Sequence, residues 1–242
     1  IGDKQVDMNS RIGSYVHFIF LNEIYCVLCD RKISKSFAQG YCYPCFLRSA
    51  ETSDCILRPE LCQAQDGIAR DLEWAEKHCL QTHFVYLALS SNIKVGVTRA
   101  TQIPTRWIDQ GATRTIKFSK TPNRYFAGLI EVEIKKYISD RTSWQKMLKN
   151  ICVEKIDLYE SKIELLNKLP DELKLYQSDN HDITQLNYPV DVYPEKVKSV
   201  GFDKNEEIFG LLSGIKGQYL IFDDGRVLNI RKHNGYKIQM EL

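Results

Sequence analysis

The sequence predicts an α+β protein made of small modules, and three observations point to this fold class. Two Cys-x2-Cys pairs lie near the N-terminus. A central stretch places two β-prone runs around a Ser-Ser-Asn turn and then continues in helical patterns. Five short β-prone runs separated by glycines follow. We expect an N-terminal module over 1–83, a central domain over 84–170, a linker over 171–195 and a small β-barrel over 196–242.

The N-terminal cysteines have the spacing of a four-thiolate zinc site. Cys26 and Cys29 form one pair, and Cys42 and Cys45 form the other after twelve intervening residues. Each pair places two sulfurs on one side of a tight turn, and two pairs complete a tetrahedron around one ion. Two disulfides are disfavoured because no secretion signal is visible, and a redox pair would not need a second copy. The spacing therefore predicts a zinc-ribbon-like module.

Four further candidate ligands precede the central domain: Cys55, Cys62, Cys79 and His83. A predicted helix over Ala69–Leu80 would bring Cys79 back to the loop that Cys55 and Cys62 frame. The sequence thus allows a second zinc site with three cysteines and one histidine. In the alternative, Cys79 is an ordinary buried apolar residue.

The central domain begins with a predicted hairpin that contains Tyr86, Lys94 and Gly96. Pro104 then opens a short helix that carries Arg106 and Trp107. A third strand is expected near Thr113–Phe118. After the capping residue Asn123, a helix is expected over Arg124–Ser139, and further helices over 143–168. The following segment up to Pro194 is acidic and rich in Asn and Asp, which is typical of a linker.

The C-terminal segment predicts an SH3-like or OB-like barrel of five short strands. Asp224-Gly225 and Asn234-Gly235 lie between β-prone runs, and such dipeptides are strong hairpin signals.

Charge is unevenly distributed along the chain. The net charge is only +2, yet residues 84–150 contain 12 Lys and Arg against 4 Asp and Glu. Such a concentration suggests a surface that binds a polyanion, with nucleic acid as the first expectation. In the alternative, the lysines simply solvate helix faces. The candidate contacts are Arg99, Trp107, Arg114, Lys117 and Arg124, where Trp107 would stack on bases only if it were exposed.

The order of these central residues resembles the GIY-YIG nuclease superfamily. Tyr86 matches the first motif and Gly96 the second, in the branch where the second motif reads Lys-Ile-Gly-x-Thr. The resemblance implies that Arg106 stabilises charge on a phosphate, that Tyr86 helps to activate water, and that Glu131 holds Mg²⁺ or Mn²⁺. Lys94 stands where other branches have a second tyrosine, which leaves the proton-transfer step open. The whole chain also resembles a bacterial family that joins a cysteine-rich N-terminus to this module.

These observations predict a metal-dependent phosphodiesterase acting on DNA or RNA, with Tyr86, Lys94, Arg106 and Glu131 as its catalytic residues. The alternative is a catalytically inactive protein that binds nucleic acid or an RNA–protein assembly through the same basic surface. A third class is a zinc-stabilised scaffold for protein partners. No apolar run approaches the roughly 18 to 20 residues needed to span a bilayer, so we expect a cytoplasmic protein.

Overall fold

A computed structural model describes residues 5–152 and 156–241 of the chain, and its secondary structure is mixed α and β. The strands, in chain order, are β1 (Tyr15–Tyr25), β2 (Lys32–Ile33), β3 (His83–Leu89), β4 (Ile93–Arg99), β5 (Arg114–Thr121), β6 (Ile183–Gln185), β7 (Lys198–Val200), β8 (Glu207–Lys216), β9 (Tyr219–Phe222), β10 (Arg226–Asn229) and β11 (Tyr236–Glu241).

The helices are α1 (Tyr43–Arg48), α2 (Leu72–His78), α3 (Thr105–Asp109), α4 (Arg124–Ile134), α5 (Trp144–Leu148), α6 (Leu158–Asn167) and α7 (Asp171–Lys174). Short 3₁₀ turns lie between several elements, including Pro59–Leu61 between α1 and α2 and Ile230–His233 between β10 and β11. Helices were predicted over 143–168, and α5 and α6 lie there; residues 153–155 are outside the described part of the chain.

The chain divides into two compact units. Unit 1 comprises the described parts of Ile1–Arg48 and Tyr188–Leu242, and unit 2 comprises the described parts of Ser49–Asn187. Unit 1 therefore contains the first two cysteine pairs together with the C-terminal strands. The division differs from the expected boundaries at 83, 170 and 195.

Strand pairing explains why unit 1 joins both ends of the described chain. Its strands follow the order β11-β1-β8-β9-β10-β7, so β1 lies between β8 and β11. Val16 and Phe18 on β1 pack into the same core as Leu212 and Phe222. A strand that supplies core residues to a sheet cannot belong to a separate module, so the expected boundary between 1–83 and 196–242 is corrected.

The two glycine turns of the C-terminal segment behave differently. Asp224-Gly225 does connect the antiparallel pair β9 and β10, and Gly225 has a φ of 80° there. Asn234-Gly235 does not close a hairpin, because β11 pairs with β1 and a 3₁₀ turn over Ile230–His233 separates it from β10. Both dipeptides form turns, as predicted, but only Asp224-Gly225 connects two strands that pair with each other.

Unit 2 is built on a four-stranded antiparallel sheet in the order β4-β3-β5-β6. One face of β3 carries Val85, Leu87 and Leu89, which pack against α4 and α6 in a core that includes Ile130 and Leu165. The opposite face carries Tyr86 and Ala88, which pack against Trp107. The alternation of a strand thus assigns Tyr86 to a different side of the sheet from the main core.

The acidic segment 171–195 is not a free linker. Ile183–Gln185 forms β6 and completes the sheet beside β5, and Leu173 on α7 is buried in the main core. Lys162 on α6 donates hydrogen bonds to the carbonyls of Ser178 and Asn180 at 2.6 and 2.8 Å. Backbone pairing and this buried lysine hold the segment in place despite its polar composition.

Helix α4 approaches the 3₁₀ turn Pro59–Leu61 closely at Gly128. A Cβ atom at Gly128 would collide with backbone atoms of Pro59 and Glu60. Asn123 caps the helix, since its Oδ1 accepts a hydrogen bond from the Phe126 amide at 3.2 Å. The glycine therefore sets how near the turn can come to the helix that also carries Glu131.

None of the helices in the described residues is both long and apolar enough to cross a membrane.

Gly128→Ala is expected to destabilise the protein by about 1–3 kcal/mol, because the added methyl meets backbone that cannot rotate away. At an exposed position of a helix, the same change would stabilise the protein by about 1 kcal/mol. The sign of the change in the free energy of unfolding therefore tests the close packing. Urea unfolding of the full chain measures it. Glu133→Ala, on the outer side of α4, is the control and should change little; an unchanged or raised stability of Gly128→Ala would contradict the close packing.

Candidate functional site

The first cysteine cluster combines Cys26, Cys29, Cys42 and Cys45, whose sulfurs all lie within 4.8 Å of one another. Cys26 follows β1 directly, and its turn is closed by hydrogen bonds between Cys26 N and Arg31 O and between Asp30 N and Cys26 O, both 2.9 Å. Cys42 precedes α1 and Cys45 lies in its first turn. All four predicted ligands therefore converge.

The distances in this cluster suit a tetrahedral thiolate site. Zinc–sulfur bonds of about 2.3 Å place two sulfurs of a tetrahedron about 3.8 Å apart. The Cys29 and Cys42 sulfurs are 3.8 Å apart. Burial acts to raise the pKa of Cys26, but hydrogen bonds from the Cys42, Leu28 and Cys29 amides outweigh it and lower that pKa to about 6. The cluster can hold a metal ion such as zinc.

The second cluster lies in unit 2 and brings together the sulfurs of Cys55, Cys62 and Cys79, again within 4.8 Å of one another. His83, the fourth predicted ligand, is not within that distance of all three. It is nevertheless almost fully buried at the start of β3. This cluster too could hold a metal.

The Tyr86 side chain occupies the space that a side chain at residue 96 would need. Tyr86 and Gly96 are direct partners across β3 and β4. A Cβ atom at Gly96 would lie 2.6 Å from the Tyr86 hydroxyl oxygen. The absence of a side chain at Gly96 therefore allows the phenol of Tyr86 to lie across the neighbouring strand.

The Tyr86 hydroxyl lies among hydrogen-bond donors. Gln110 Nε2 donates to it at 2.5 Å, and the Arg106 side chain also donates to it. Burial raises the pKa of Tyr86 to about 12, while the charge of Arg106 and the bond from Gln110 act in the opposite direction. Because both neighbours are donors, the hydroxyl proton of Tyr86 is available to a further acceptor.

Two cations on the same side of the sheet as this phenol form no ion pair with a carboxylate in the described part of the chain. Lys94 is directly opposite Ala88 on β3, and therefore on the same face as Tyr86. It is only 5% exposed, and within the described residues its ammonium group has no hydrogen-bond or ion-pair partner. Burial, followed by the charge of Arg106, lowers the pKa of Lys94 to about 8, and the charge of Asp140 acts in the opposite direction. Arg106, which is half-buried, has no ion pair with any described carboxylate.

Glu131 supplies the buried carboxylate of the region. Burial raises its pKa, and Lys135 one helical turn later partly offsets this through an ion pair of 3.2 Å. Lys135 also pairs with Asp140 at 3.3 Å. The charge of Glu131 acts on Tyr86, so the carboxylate and the phenol belong to one electrostatic neighbourhood.

This arrangement has the components that bind and polarise a phosphate. Two cations and a phenol can contact phosphate oxygens, and Mg²⁺ is commonly held by one or two carboxylates together with substrate phosphates. Glu131 fits such a role, although a bound ion would compete with Lys135 for its oxygens. Sequence reasoning missed Gln110, Lys135 and Asp140. The first of these lies in the same short segment as Arg106, but nothing in that segment indicated its contact with Tyr86.

The five predicted nucleic-acid contacts do not form one surface. Trp107 and Arg124 are buried, which corrects their assignment as surface contacts. Trp107 packs edge-on against the Tyr86 ring at a centroid distance of 6.0 Å. The other three are half-buried. Lys117 is opposite Tyr86, whereas Arg99 and Arg114 are opposite His83 and Leu89 and therefore face the other side of the sheet.

Glu131→Gln should raise the free energy of unfolding at pH 7. The folded pKa of Glu131 lies above the unfolded value, so wild-type stability falls as pH rises between the two, and a neutral amide escapes this cost. This gain in stability should disappear as the pH falls to the pKa of glutamate in the unfolded chain, because the wild-type carboxyl is then protonated in both states. Urea unfolding from pH 4 to 8 measures it, with Glu133→Gln on the same helix as the control. Equal effects of the two variants at every pH would contradict the buried environment of Glu131.

Comparison with known proteins places the chain in a family. No curated protein matches it, and no solved structure matches it either. The profile of one protein family matches residues 13–238, a range that includes both cysteine clusters and the residues around Tyr86. Because this match covers nearly the whole sequence, the chain belongs to the family described as "Protein of unknown function (DUF2797)".

Proposed function

We propose that this protein is a metal-dependent phosphodiesterase that cleaves DNA or RNA, with a fold of the GIY-YIG type in unit 2. The observation that carries the proposal is the meeting of Tyr86, Lys94 and Arg106 beside Gly96, with the buried Glu131 in electrostatic contact. Tyr86, Lys94 and Arg106 come from two strands and a helix, and a buried lysine without an ion-pair partner is costly to a structural core. A phosphate would supply the missing negative charge.

Arg106 and Lys94 have different tasks in this proposal. The planar guanidinium of Arg106 can donate two parallel hydrogen bonds to a phosphate, and it adds positive charge where the transition state gains negative charge. Lys94, with a pKa near 8, is available partly as a neutral amine at physiological pH. A neutral amine beside the phosphate can accept a proton from the attacking water, which is the task left open by the absent second tyrosine.

Tyr86 and Glu131 complete the assignment. The Tyr86 hydroxyl, held by Gln110 and Arg106, can donate its proton to a phosphate oxygen or orient a water. Glu131 would hold Mg²⁺ or Mn²⁺. When bound, that ion would neutralise phosphate charge and lower the pKa of water. The ion pair with Lys135 would keep the carboxylate charged, despite its burial, until an ion binds.

We further propose that the first cluster, Cys26, Cys29, Cys42 and Cys45, holds zinc in a structural role. Four sulfur ligands close the coordination sphere, which is the arrangement of structural and not of catalytic zinc. Lys32 and Glu23 beside this module form an exposed ion pair of 2.6 Å, which contributes little by itself. The metal would therefore supply much of the local folding free energy.

A second candidate function is binding of nucleic acid without cleavage. The observation that favours it is the double ion pair of Lys135 with Glu131 and Asp140, which occupies the carboxylate that a metal would need. The two functions share the cations of the site and differ only at Glu131. Salt-dependent binding without cleavage would identify the second function.

Incubation with labelled single- and double-stranded DNA and RNA, with Mg²⁺ or Mn²⁺, tests the enzyme. We expect cleavage by the wild type and none by Glu131→Gln. Arg106→Lys should reduce cleavage about tenfold or more, because lysine cannot reproduce the paired hydrogen bonds of arginine. Lys146→Ala, an exposed cation on α5, is the matched control and should have only a small, salt-dependent effect. Absence of cleavage by the wild type defeats the enzyme assignment.

The pH dependence of cleavage tests Lys94. If its neutral form accepts a proton, the rate should rise with pH around a midpoint near 8, the value to which its pKa is lowered. Lys94→Arg keeps the charge but cannot lose its proton, so the rise should disappear. Lys117→Arg, on the same face of the sheet, should retain it. The same pH profile in wild type and Lys94→Arg would assign proton transfer to another group.

A further inference from the structure

We infer that Cys55, Cys62, Cys79 and His83 hold a second structural zinc ion, which fastens the 3₁₀ turn Pro59–Leu61 to the helix that carries Glu131. This inference does not depend on the proposed nuclease activity. A zinc centre here could exist in a binding protein, and cleavage could occur without it.

The sulfurs already have the proximity of a metal site. Those of Cys55, Cys62 and Cys79 lie within 4.8 Å of one another, against about 3.8 Å expected around zinc. All three are free thiols. A single disulfide would leave one of the three sulfurs unused, whereas a metal can use all of them. A site of three thiolates needs one more ligand to close as a tetrahedron.

His83 has the environment of that fourth ligand. It is 1% exposed, and the Nε2 atom is buried without any hydrogen-bond partner in the described structure. Nδ1 lies 2.7 Å from the carbonyl oxygen of Gln81, so Nδ1 donates its proton there and Nε2 keeps its lone pair. A ring nitrogen fixed in this way by a backbone carbonyl is the usual arrangement of zinc-bound histidine.

The separation of His83 from Cys79 also suits a zinc ligand pair. Three residues lie between them, which falls within the spacing found inside zinc modules. Cys79 follows the last turn of α2, and His83 begins β3. Closing the site requires the ring nitrogen to lie closer to the three sulfurs than the structure places it.

The charge of Arg124 gives independent support. Arg124 is 9% exposed, and its guanidinium donates to the carbonyls of Cys55 and His78 at 3.1 and 3.2 Å. No carboxylate among the described residues pairs with it. Three neutral thiols would leave this buried cation uncompensated, which is costly. Zinc with three thiolates and a neutral histidine carries a net charge of −1, and Arg124 would balance it.

The same cluster is accessible to an ion from solvent. A cavity of about 370 Å³ is lined by the three cysteines and by Trp74 and Ala75 of α2, among others. An entry path is one requirement for a metal site in a folded protein. His83 does not line this cavity, so it would close the site from the side of the sheet.

Zinc at this position would hold together parts that approach each other at the candidate active site. Cys55 and Cys62 flank the turn Pro59–Leu61, whose backbone lies against Gly128 of α4. Gly128 precedes Glu131 by one turn of that helix. His83 begins the strand that carries Tyr86 three residues later. The ion would thus fix the start of β3 and the inner surface of α4 at one point.

Metal analysis of the full chain, purified without chelator, tests the inference directly. We expect two zinc ions per chain in the wild type, and one in both Cys62→Ala and Cys42→Ala. His83→Ala should also retain only one firmly bound ion. His83→Cys, which restores a fourth ligand, should retain two. His78→Ala is the matched control, because His78 stacks on Trp74 and bonds the Trp74 carbonyl through Nδ1; it should keep both ions.

X-ray absorption of the zinc-loaded wild type needs no variant and so does not depend on variant folding. One site of four sulfurs and one of three sulfurs and a nitrogen average to about 3.5 sulfur and 0.5 nitrogen ligands per ion. Four sulfurs around every bound ion, whether the chain holds one zinc or two, would overturn the second site. Unchanged zinc content in His83→Ala would remove His83 from it.

Hydrogen exchange tests the fastening role separately. In Cys62→Ala the amides of α4 should exchange faster than in the wild type, whereas those of β8 and β9 in unit 1 should not change. If Cys62→Ala loses one zinc and the amides of α4 exchange as in the wild type, the ion does not fasten the turn Pro59–Leu61 to α4.

Discussion

The contact on which the unit 2 site depends is the passage of the Tyr86 ring across Gly96. Any side chain at residue 96 would force the ring away, since a Cβ atom there would lie 2.8 Å from its Cζ atom. With the ring in place, its hydroxyl can reach Arg106 on α3 and Gln110 just after that helix, and Trp107 can pack against its edge. The absence of a side chain at Gly96 on β4 thus allows the Tyr86 ring to meet side chains of α3 and of Gln110.

Buried positive charge is the second organising feature of unit 2, and it occurs in two places with different consequences. Near Tyr86, Lys94 and Arg106 form no ion pair within the described residues, and the one carboxylate whose charge acts on Lys94, that of Asp140, is paired with Lys135. In the proposed function, a phosphate supplies the compensating negative charge. Near the second cysteine cluster, Arg124 has three thiols beside it, so the compensating charge can come from the protein once a metal binds. Because an uncompensated buried charge is costly, we propose an external ligand near Tyr86 and a metal–thiolate centre of the protein itself near Arg124.

Local signals made part of this structure predictable. The cysteine pairs, the hairpin around Ser90–Asn92 and the helix capped by Asn123 each depend on residues close in sequence, and all are present. Long-range pairing was not predictable, because β6 and β11 are short and carry no indication of their partner strands. The same limit applies to the site. The order of Tyr86, Gly96, Arg106 and Glu131 could be read from the sequence, whereas the contact of Gln110 and the burial of Arg124 arise only from tertiary packing.

The position of β1 between β8 and β11 has a consequence for biosynthesis. Tyr15–Tyr25 cannot complete its pairing until Tyr236–Glu241 has left the ribosome, because Ile24 pairs with Tyr236 and His17 with Glu241. Unit 2, by contrast, is one uninterrupted segment whose strands β3, β4 and β5 pair with near neighbours in sequence. During translation, unit 2 can therefore fold before β1 has all of its partner strands. The two Cys-x2-Cys pairs of unit 1 are already synthesised by then and can bind an ion.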